Sequence, residues 1–516
     1  MAMFKLKDRM MLLLIGCILF IINCQPKPEI IEQEPVLGPF EENWESLVKH
    51  EDPQWFSDAK FGIYTHWGVY SIPAWGHEWY PRKMYIEKDH RRGNYFTHHA
   101  ETWGDQTKFG YSDFVPLFTA EKFDAQEWAD LFKQAGAQFT GPVAEHHDGF
   151  AMWDSDLTEW DAMDKGPKRD IVGELATAIR AQDMKFMASL HHARKWWYFE
   201  PSFREDHRFD TQNPDLAGPY GMFPPIHEVG DAPTPAYMKA WEEKTIEVID
   251  KYHPDLLWFD SGLERKKFWR ESRDDFQAYK KRFLAYYYNE SAQRGQDVGV
   301  AYKHDDFPAG AGILDFERGR MDSLAPFPWL TDTSIDNVSW SHVENSDYRS
   351  VNELIDVLVD IVSKNGCLLL NVGPSADGSI PEGAQQTLLG MGEWLKVNGE
   401  AIYDTRPWLK YGEGPTKEIG GAFSERKNKV SYVPQDIRFT ANDGVLYVIA
   451  LGWDDSGQLM INALGESSEH FRPISKVSLL GYEGNLSWEN TADHLTVQLP
   501  KNQMGQHAFA YKIEFK

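Results

Sequence analysis

The most constraining feature of the sequence is a unit over residues 237–263, in which a helical pattern leads into a short apolar strand that ends in an acid. From Tyr237 onward, apolar residues recur at helical spacing among charged ones, which indicates a helix with one buried face. Pro254 disfavours the helical conformation in the preceding residue and so ends this helix. Leu256–Phe259 then predicts a buried strand, followed by Asp260. A lone Asp at such a place is as often a turn residue, so the neighbouring units must decide its role.

The same order of elements recurs along the chain. Helical patterns over 124–135 and 170–182 alternate with apolar strands at Phe139–Ala144 and Lys185–Leu190, and a later strand is predicted at Cys367–Val372. Strands that alternate with helices of this length predict βα units and a parallel sheet. Polar residues collect just after these strands, which is where a (β/α)₈ barrel builds its active site.

The periodicity changes after residue 408. Strand-like runs bounded by turn residues replace the helical patterns; they are Val445–Leu451, Val477–Leu480, Leu495–Leu499 and Phe509–Phe515. The first of them follows an Asn-Asp-Gly hairpin signal. The fold class predicted is therefore α/β, a (β/α)₈ TIM-like barrel over residues 46–408 followed by an antiparallel β-sandwich over residues 409–516.

The N-terminus has the pattern of an export signal. Basic residues precede an apolar run from Met10 to Ile22 that is too short to span a membrane comfortably. Cys24 and a Pro- and Glu-rich stretch follow. We therefore predict a signal peptide of the lipoprotein type over residues 1–24, a lipid anchor at Cys24, a linker over residues 25–45, and a periplasmic or cell-surface location. The alternative is an ordinary secretory signal.

Composition excludes some partners and favours others. The formal net charge of −26 opposes binding to a phosphate backbone, so we expect no nucleic-acid partner. The 20 Trp residues favour a protein that stacks aromatic rings on sugars. Cys367 is the one cysteine of the predicted folded part, so no intramolecular disulfide is expected there. Neither a phosphate loop nor a zinc-ligand spacing is present in the sequence, and we predict no cofactor.

Several ordered motifs give the chain a family resemblance. They are Phe61-Gly62-Ile63 with His66-Trp67-Gly68; Glu78-Trp79-Tyr80; His146-His147-Asp148-Gly149-Phe150 with Trp153-Asp154-Ser155; Lys168-Arg169-Asp170; Trp258-Phe259-Asp260; and Asn365-Gly366-Cys367-Leu368-Leu369-Leu370-Asn371-Val372-Gly373-Pro374. With these motifs the chain resembles the retaining α-L-fucosidases of glycoside hydrolase family 29. The resemblance covers roughly residues 55–408, the whole predicted barrel.

The resemblance implies roles for individual residues. Asp260 stands where the family keeps its nucleophile. The residues implied to contact the sugar are His66, Glu78, Trp79, His146, His147 and Trp258, together with His191, which stands where the family often has tyrosine. Trp67 and Trp75 are two further aromatic residues that could line the pocket, with core packing as the alternative for Trp67.

The acid/base residue is less well marked. Candidates after Asp260 are Glu264, Glu271, Glu290 and Glu317. We choose Glu317 because an apolar approach precedes it, which suggests that it follows a strand. The alternative for Glu317 is an ion pair with Arg318 or Arg320.

The two His-His pairs, at 146–147 and 191–192, raise the question of a metal. Adjacent residues on a strand point to opposite faces, so neither pair is expected to chelate one ion. Hydrogen bonds to sugar hydroxyls explain one member of each pair, and we predict no catalytic metal.

The function that follows is an exo-acting retaining α-L-fucosidase that removes terminal α-L-fucosyl groups from oligosaccharides or polysaccharides by double displacement. Two alternatives remain at this level. One is an α-L-galactosidase-type activity on the same scaffold, and the other is a non-catalytic glycan-binding lipoprotein.

Overall fold

The structure is a computed structural model that describes residues 37–88, 93–203, 209–260, 274–427 and 429–516. The predicted signal peptide, Cys24, Glu264 and Glu271 lie outside the described residues. The compact body begins at Gly38, and the predicted domain boundaries stay predictions. In the described part of the chain, no helix is both long enough and apolar enough to cross a bilayer.

Eight parallel strands close into a barrel, as predicted. Each strand pairs with the next in sequence, and β1 also pairs with β8. The strands are β1 (Phe61–Thr65), β2 (Phe139–Glu145), β3 (Lys185–Leu190), β4 (Leu256–Phe259), β5 (Gly299–Lys303), β6 (Ile313–Asp315), β7 (Trp329–Ser334) and β8 (Gly366–Val372).

Helices connect and surround the strands. They are α1 (Trp44–Leu47), α2 (Gln54–Ala59), α3 (Tyr80–Lys83), α4 (Tyr95–Thr102), α5 (Ala125–Gln134), α6 (Ile171–Ala181), α7 (Lys195–Tyr198), α8 (Pro235–Tyr252), α9 (Asp274–Gln293), α10 (Val351–Ser363), α11 (Glu382–Asn398) and α12 (Ser424–Lys427). The unit that opened the sequence analysis is helix α8 followed by β4. His253 ends that helix in the left-handed conformation, at φ 46°, directly before Pro254.

The barrel has its own packed interior, whereas the outer faces of the strands pack on the helices. Tyr64, Met187, Trp258 and Leu330 are among the interior residues, and Phe56 of α2 packs into the same cluster. Every β4 residue is buried, which agrees with a strand that is apolar on both faces.

The C-terminal part consists of antiparallel sheets, as predicted. A five-stranded sheet has the order β13-β16-β11-β10-β9, and a three-stranded sheet has the order β12-β15-β14. Their strands are β9 (Arg406–Glu413), β10 (Ile437–Asn442), β11 (Val445–Ala450), β12 (Gln458–Ile461), β13 (Ile474–Leu479), β14 (Trp488–Asn490), β15 (Leu495–Gln498) and β16 (Phe509–Phe515). The two sheets share one apolar core.

Candidate active site

Polar side chains converge at the C-terminal ends of the barrel strands. His66 follows β1, His146 and His147 follow β2, His191 follows β3, and Asp260 follows β4. All five are at most 6% exposed. Buried polar groups need partners, and each strand end supplies them from its neighbours.

Basic groups surround Asp260, the predicted nucleophile. Arg194 Nη1 lies 3.2 Å from Asp260 Oδ2, and His147 Nε2 lies 3.4 Å from the same oxygen. Lys303 Nζ lies 3.7 Å from the other oxygen, Oδ1. A buried carboxylate is stable only when it is paired, and the two cations, Arg194 and Lys303, favour Asp260 as an anion.

Lys303 is the centre of this charge cluster. Its ammonium lies 3.0 Å from Asp332, 3.1 Å from Glu317 and 3.7 Å from Asp315. Burial acts to lower the pKa of Lys303, but the surrounding carboxylates outweigh burial and raise it, Asp332 most of all. Lys303 is therefore a fixed positive charge between the predicted nucleophile and the predicted acid.

Glu317, the predicted acid/base residue, lies in this cluster. Burial raises its pKa, and the negative charges of Asp332 and Asp260 raise it further, while Lys303 opposes them. Because Lys303 contacts both Glu317 and Asp260, the nearest oxygens of the two carboxylates cannot be farther apart than the sum of those contacts. That limit includes the ~5–5.5 Å of retaining glycosidases and reaches only the lower end of the ~6.5–9.5 Å of inverting ones.

The alternatives for Glu317 do not match the structure. Arg318 lies over the Trp340 ring at 4.6 Å, and Arg320 pairs with Asp360 at 3.4 Å. Glu317 instead contacts Lys303. Of the other candidates, Glu290 lies on the outer helix α9, where it pairs with Arg294 at 2.9 Å.

A hydrogen-bond chain fixes the tautomer of His66. The side-chain amide of Asn371 donates to Trp340 O at 2.6 Å and to Ser334 Oγ at 3.0 Å, which leaves its oxygen to accept. His66 Nδ1 lies 2.7 Å from that oxygen and so carries the proton. His66 Nε2 is then the acceptor.

The geometric argument about the first His-His pair is wrong. His146 and His147 lie beyond the end of β2, in a turn, so strand alternation does not apply to them. Their ring centroids are 4.3 Å apart. The second pair does diverge, since the His192 ring stacks on Trp241 while the His191 ring faces Trp258.

These histidines are neutral at ordinary pH. Burial lowers the pKa of His147 to about 3, with Asp260 opposing it, and lowers the pKa of His146 and His191 well below 6.5. His147 Nδ1 donates to His191 O at 2.8 Å. Among the described residues, none lies within hydrogen-bond reach of His146 Nδ1 or His191 Nδ1. Such nitrogens are suited to a ligand.

Among the described residues, two groups of side chains could hold a metal ion by distance alone. They are His66, His146 and His191, and His147, His191 and Asp260; within each group the ligand atoms lie within 4.8 Å of one another. The absence of a catalytic metal therefore stays a prediction that depends on the sugar hydroxyls as the alternative ligands.

Glu78 and Trp79 reach the cluster from the loop after β1. Glu78 Oε2 accepts hydrogen bonds from Ser339 Oγ and Trp340 N–H, both at 3.2 Å. Burial alone would raise the pKa of Glu78, but His77 and the N–H donors lower it, so the group is an anion. The Trp79 ring lies 5.6 Å from that of His147.

The other predicted aromatic residues have separate places. Trp258 lies beneath the cluster, with Lys303 Nζ 4.8 Å from its ring. Trp67 packs among core aromatic residues such as Trp128, which is the core-packing alternative. Trp75 stacks on His98 at 4.0 Å.

Sequence reasoning missed four residues of the site. They are Arg194, Lys303, Asp332 and Asn371, all at most 8% exposed. The last three lie in strands β5, β7 and β8, of which the sequence analysis predicted only β8. A charged or amide residue near the C-terminal end of such a strand is the signal that could have found them.

Comparisons with known proteins find alpha-L-fucosidases. A family profile described as alpha-L-fucosidase matches residues 30–400, and one described as alpha-L-fucosidase C-terminal domain matches residues 431–515. The plasma alpha-L-fucosidase of Homo sapiens is 34% identical over 484 residues, which cover 90% of this chain and 89% of that protein. The tissue alpha-L-fucosidase of Rattus norvegicus is 31% identical over 89% of this chain and 88% of its own length. A crystal structure of Thermotoga maritima alpha-fucosidase in complex with fucose is similar with a TM-score of 0.70 and 29% identity, covering 92% of this chain and all of that one.

Proposed function

The chain belongs to the alpha-L-fucosidase family, and from that premise we propose that it removes terminal α-L-fucosyl groups from glycans by double displacement, with Asp260 as nucleophile and Glu317 as acid/base. The observation that carries the proposal is that Lys303 Nζ contacts both carboxylates, at 3.7 Å and 3.1 Å. The family indicates the reaction, and the contacts of Lys303 support Asp260 and Glu317 as the two reacting groups.

In the first step, an oxygen of Asp260 attacks the anomeric carbon and the bond to the leaving oxygen breaks. Glu317 gives its proton to that oxygen, so the aglycone departs as a neutral alcohol and a fucosyl ester of Asp260 remains. In the second step, Glu317 takes a proton from water, whose oxygen displaces Asp260 and releases fucose. Two inversions give net retention at the anomeric carbon.

The electrostatics of the site suit these roles. The anion of Asp260 faces Arg194 and Lys303, so it is available for attack without a proton. Burial and nearby carboxylates raise the pKa of Glu317, which favours the protonated acid that the first step needs.

The histidines are proposed to bind the sugar hydroxyls. His66 Nε2 accepts, because Asn371 holds the proton on Nδ1. His146 Nδ1 and His191 Nδ1 are buried without a hydrogen-bond partner among the described residues, and the two rings lie 5.1 Å apart. A buried nitrogen that lacks a partner is costly, so a hydroxyl that pairs with it gains affinity.

The test is release of 4-nitrophenol from 4-nitrophenyl α-L-fucoside. Wild type should turn over, Asp260→Asn should lose about a thousandfold or more of kcat, and Asp161→Asn should stay near wild type. Asp161 is a matched control, since it is also buried but its carboxylate accepts from the backbone of the turn at Met163 and Asp164. Full activity in Asp260→Asn would contradict the assignment.

The same assay decides between the alternatives. A larger kcat/KM on 4-nitrophenyl α-L-galactoside would favour the α-L-galactosidase reading. Binding of fucosylated glycans without turnover would favour the glycan-binding lipoprotein.

We also propose export, with a lipid on Cys24. The support is the sequence pattern of residues 1–24, which lie outside the described residues. Labelling with a radioactive fatty acid in a bacterial host should mark wild type and not Cys24→Ala. A soluble, unlabelled wild-type protein in the exported fraction would instead indicate an ordinary secretory signal.

A further inference from the structure

A segment of the C-terminal part, residues 418–427 between β9 and β10, packs against the turn that carries Glu317. Three backbone hydrogen bonds join them: Phe423 N–H to Glu317 O at 2.7 Å, Glu425 N–H to Arg318 O at 3.1 Å, and Gly421 N–H to Arg320 O at 2.8 Å. The segment belongs to neither of the ranges matched by the two family profiles, 30–400 and 431–515.

The opposite side of the turn is held by the barrel. Phe316 N–H donates to Leu330 O at 3.0 Å, and Arg318 N–H donates to Asp332 O at 2.8 Å. Arg318 has a φ of 42°, a left-handed conformation that a side chain adopts only when its surroundings impose it. The turn is therefore fixed from both sides, by β7 and by residues 418–427.

The two backbones approach closely at Gly319. A Cβ added there would lie 2.4 Å from the carbonyl oxygen of Gly421, which is too short for any real contact. Glycine is required at this place because the segment fits directly against the turn.

The segment itself is anchored by buried charges. Glu418 accepts from Arg438 of β10 at 2.7 Å and pairs with Lys364, and both cations pair with Asp360 of α10. These four residues lie where the C-terminal sheet meets the barrel.

The other end of the segment is also tied to the barrel. The Glu425 side chain accepts from Thr333 Oγ1 at 2.9 Å and from Arg349 at 3.3 Å. Residues 418–427 are thus held at both ends while their middle contacts the Glu317 turn.

We propose that residues 418–427 position Glu317 for proton transfer, so that the C-terminal part of the chain contributes to acid catalysis. This inference rests on the proposed role of Glu317. Proton transfer depends on hydrogen-bond reach, and a displacement of about 1 Å can cost about 100-fold in rate. Asp260 follows β4 directly, so nucleophilic attack does not depend on the same support.

The test uses aryl α-L-fucosides whose phenols span a wide range of acidity, assayed with the full chain. Glu317→Ala shows how kcat/KM depends on the acidity of the leaving phenol when the general acid is absent. Gly319→Ala forces the segment and the turn apart, and Glu425→Gln weakens the same support more gently. Gly465→Ala is the control, because its Cβ would also meet backbone, at 2.4 Å from Asp493, but within the C-terminal part and outside the Glu317 turn.

We expect Gly319→Ala to lose about 100-fold in kcat/KM on the fucoside with the least acidic leaving phenol. On 2,4-dinitrophenyl α-L-fucoside, whose leaving group needs little protonation, the loss should be less than about fivefold. Glu425→Gln should change in the same direction, and Gly465→Ala should keep the wild-type dependence. If Gly319→Ala does not fold, the leaving-group dependence of kcat/KM in Glu425→Gln tests the proposal instead. A uniform loss on all substrates would overturn the proposal, whereas an unchanged dependence in Glu317→Ala would overturn the role of Glu317 itself.

Discussion

Lys303 Nζ lies 3.1 Å from Glu317 Oε2, where the Lys303 side chain is buried and the Glu317 side chain is 18% exposed. A positive charge beside a general acid favours its deprotonated form, so the pair limits how far the pKa of Glu317 is raised. Burial and the carboxylates of Asp332 and Asp260 act in the other direction. The net effect is a raised pKa for Glu317, so the fraction of this acid that is protonated, and with it the activity, should depend on pH.

The first prediction concerns this pair. A general acid must be protonated, so kcat/KM should fall as the pH rises through the raised pKa of Glu317. Lys303→Met removes the cation that lowers this pKa, and the basic limb should move up by about one pH unit or more. The pH profile of kcat/KM measures it, and a limb that stays or moves down would contradict the account.

The same substitution should also destabilise the fold. Removing one member of a buried charge cluster costs about 3–5 kcal/mol because the carboxylates are left unpaired. Lys185→Met is a matched control: Lys185 pairs with Asp255 at 3.1 Å, but its side chain is 43% exposed, so solvent screening limits the loss to about 1 kcal/mol or less. Denaturant unfolding compares the two.

A second prediction concerns Asn371, which orients His66. Asn371→Leu removes the acceptor that holds the His66 proton on Nδ1, so inhibition by free fucose should weaken about tenfold, or ~1.4 kcal/mol. Asn398→Leu is the control, since Asn398 is also buried but donates to Trp394 O on an outer helix. Both variants should lose some stability, and only the first should lose fucose affinity. Equal fucose affinity in Asn371→Leu and wild type would show that His66 needs no such support.

A third prediction concerns metals. The histidine clusters could hold an ion by distance, yet their proposed ligands are sugar hydroxyls. Prolonged treatment with a chelator should leave kcat unchanged, and elemental analysis of active protein should find well below one transition-metal ion per chain. Loss of activity that zinc restores would establish a metal site instead.

The barrel could be predicted from the sequence because its strong units are local. The helix over 235–252, the stop at Pro254 and the strand Leu256–Phe259 each follow from propensity and burial alone. Strands β5 and β7 escaped notice because Lys303 and Asp332 lie within them. The charged partners of these residues lie on or just after other strands, so a local sequence pattern cannot predict the ion pairs.

The site shows the same division. Family resemblance and position after a strand led to Asp260 and Glu317; both contact Lys303, and their catalytic roles stay predictions. The argument for His146 and His147 assumed that β2 continues through them, whereas β2 ends at Glu145; the two residues nevertheless belong to different candidate metal groups.

The central claim is that Asp260 attacks and Glu317 transfers the proton. The most direct measurement is the anomeric configuration of the fucosyl azide formed when azide rescues each variant on 2,4-dinitrophenyl α-L-fucoside. Asp260→Gly should give the β-L-fucosyl azide, because azide replaces the nucleophile in a single inversion. Glu317→Ala should give the α-L-fucosyl azide, because azide attacks the fucosyl ester of Asp260. The opposite pairing of configurations, or a Glu317→Ala variant that needs no rescue, would contradict the assignment.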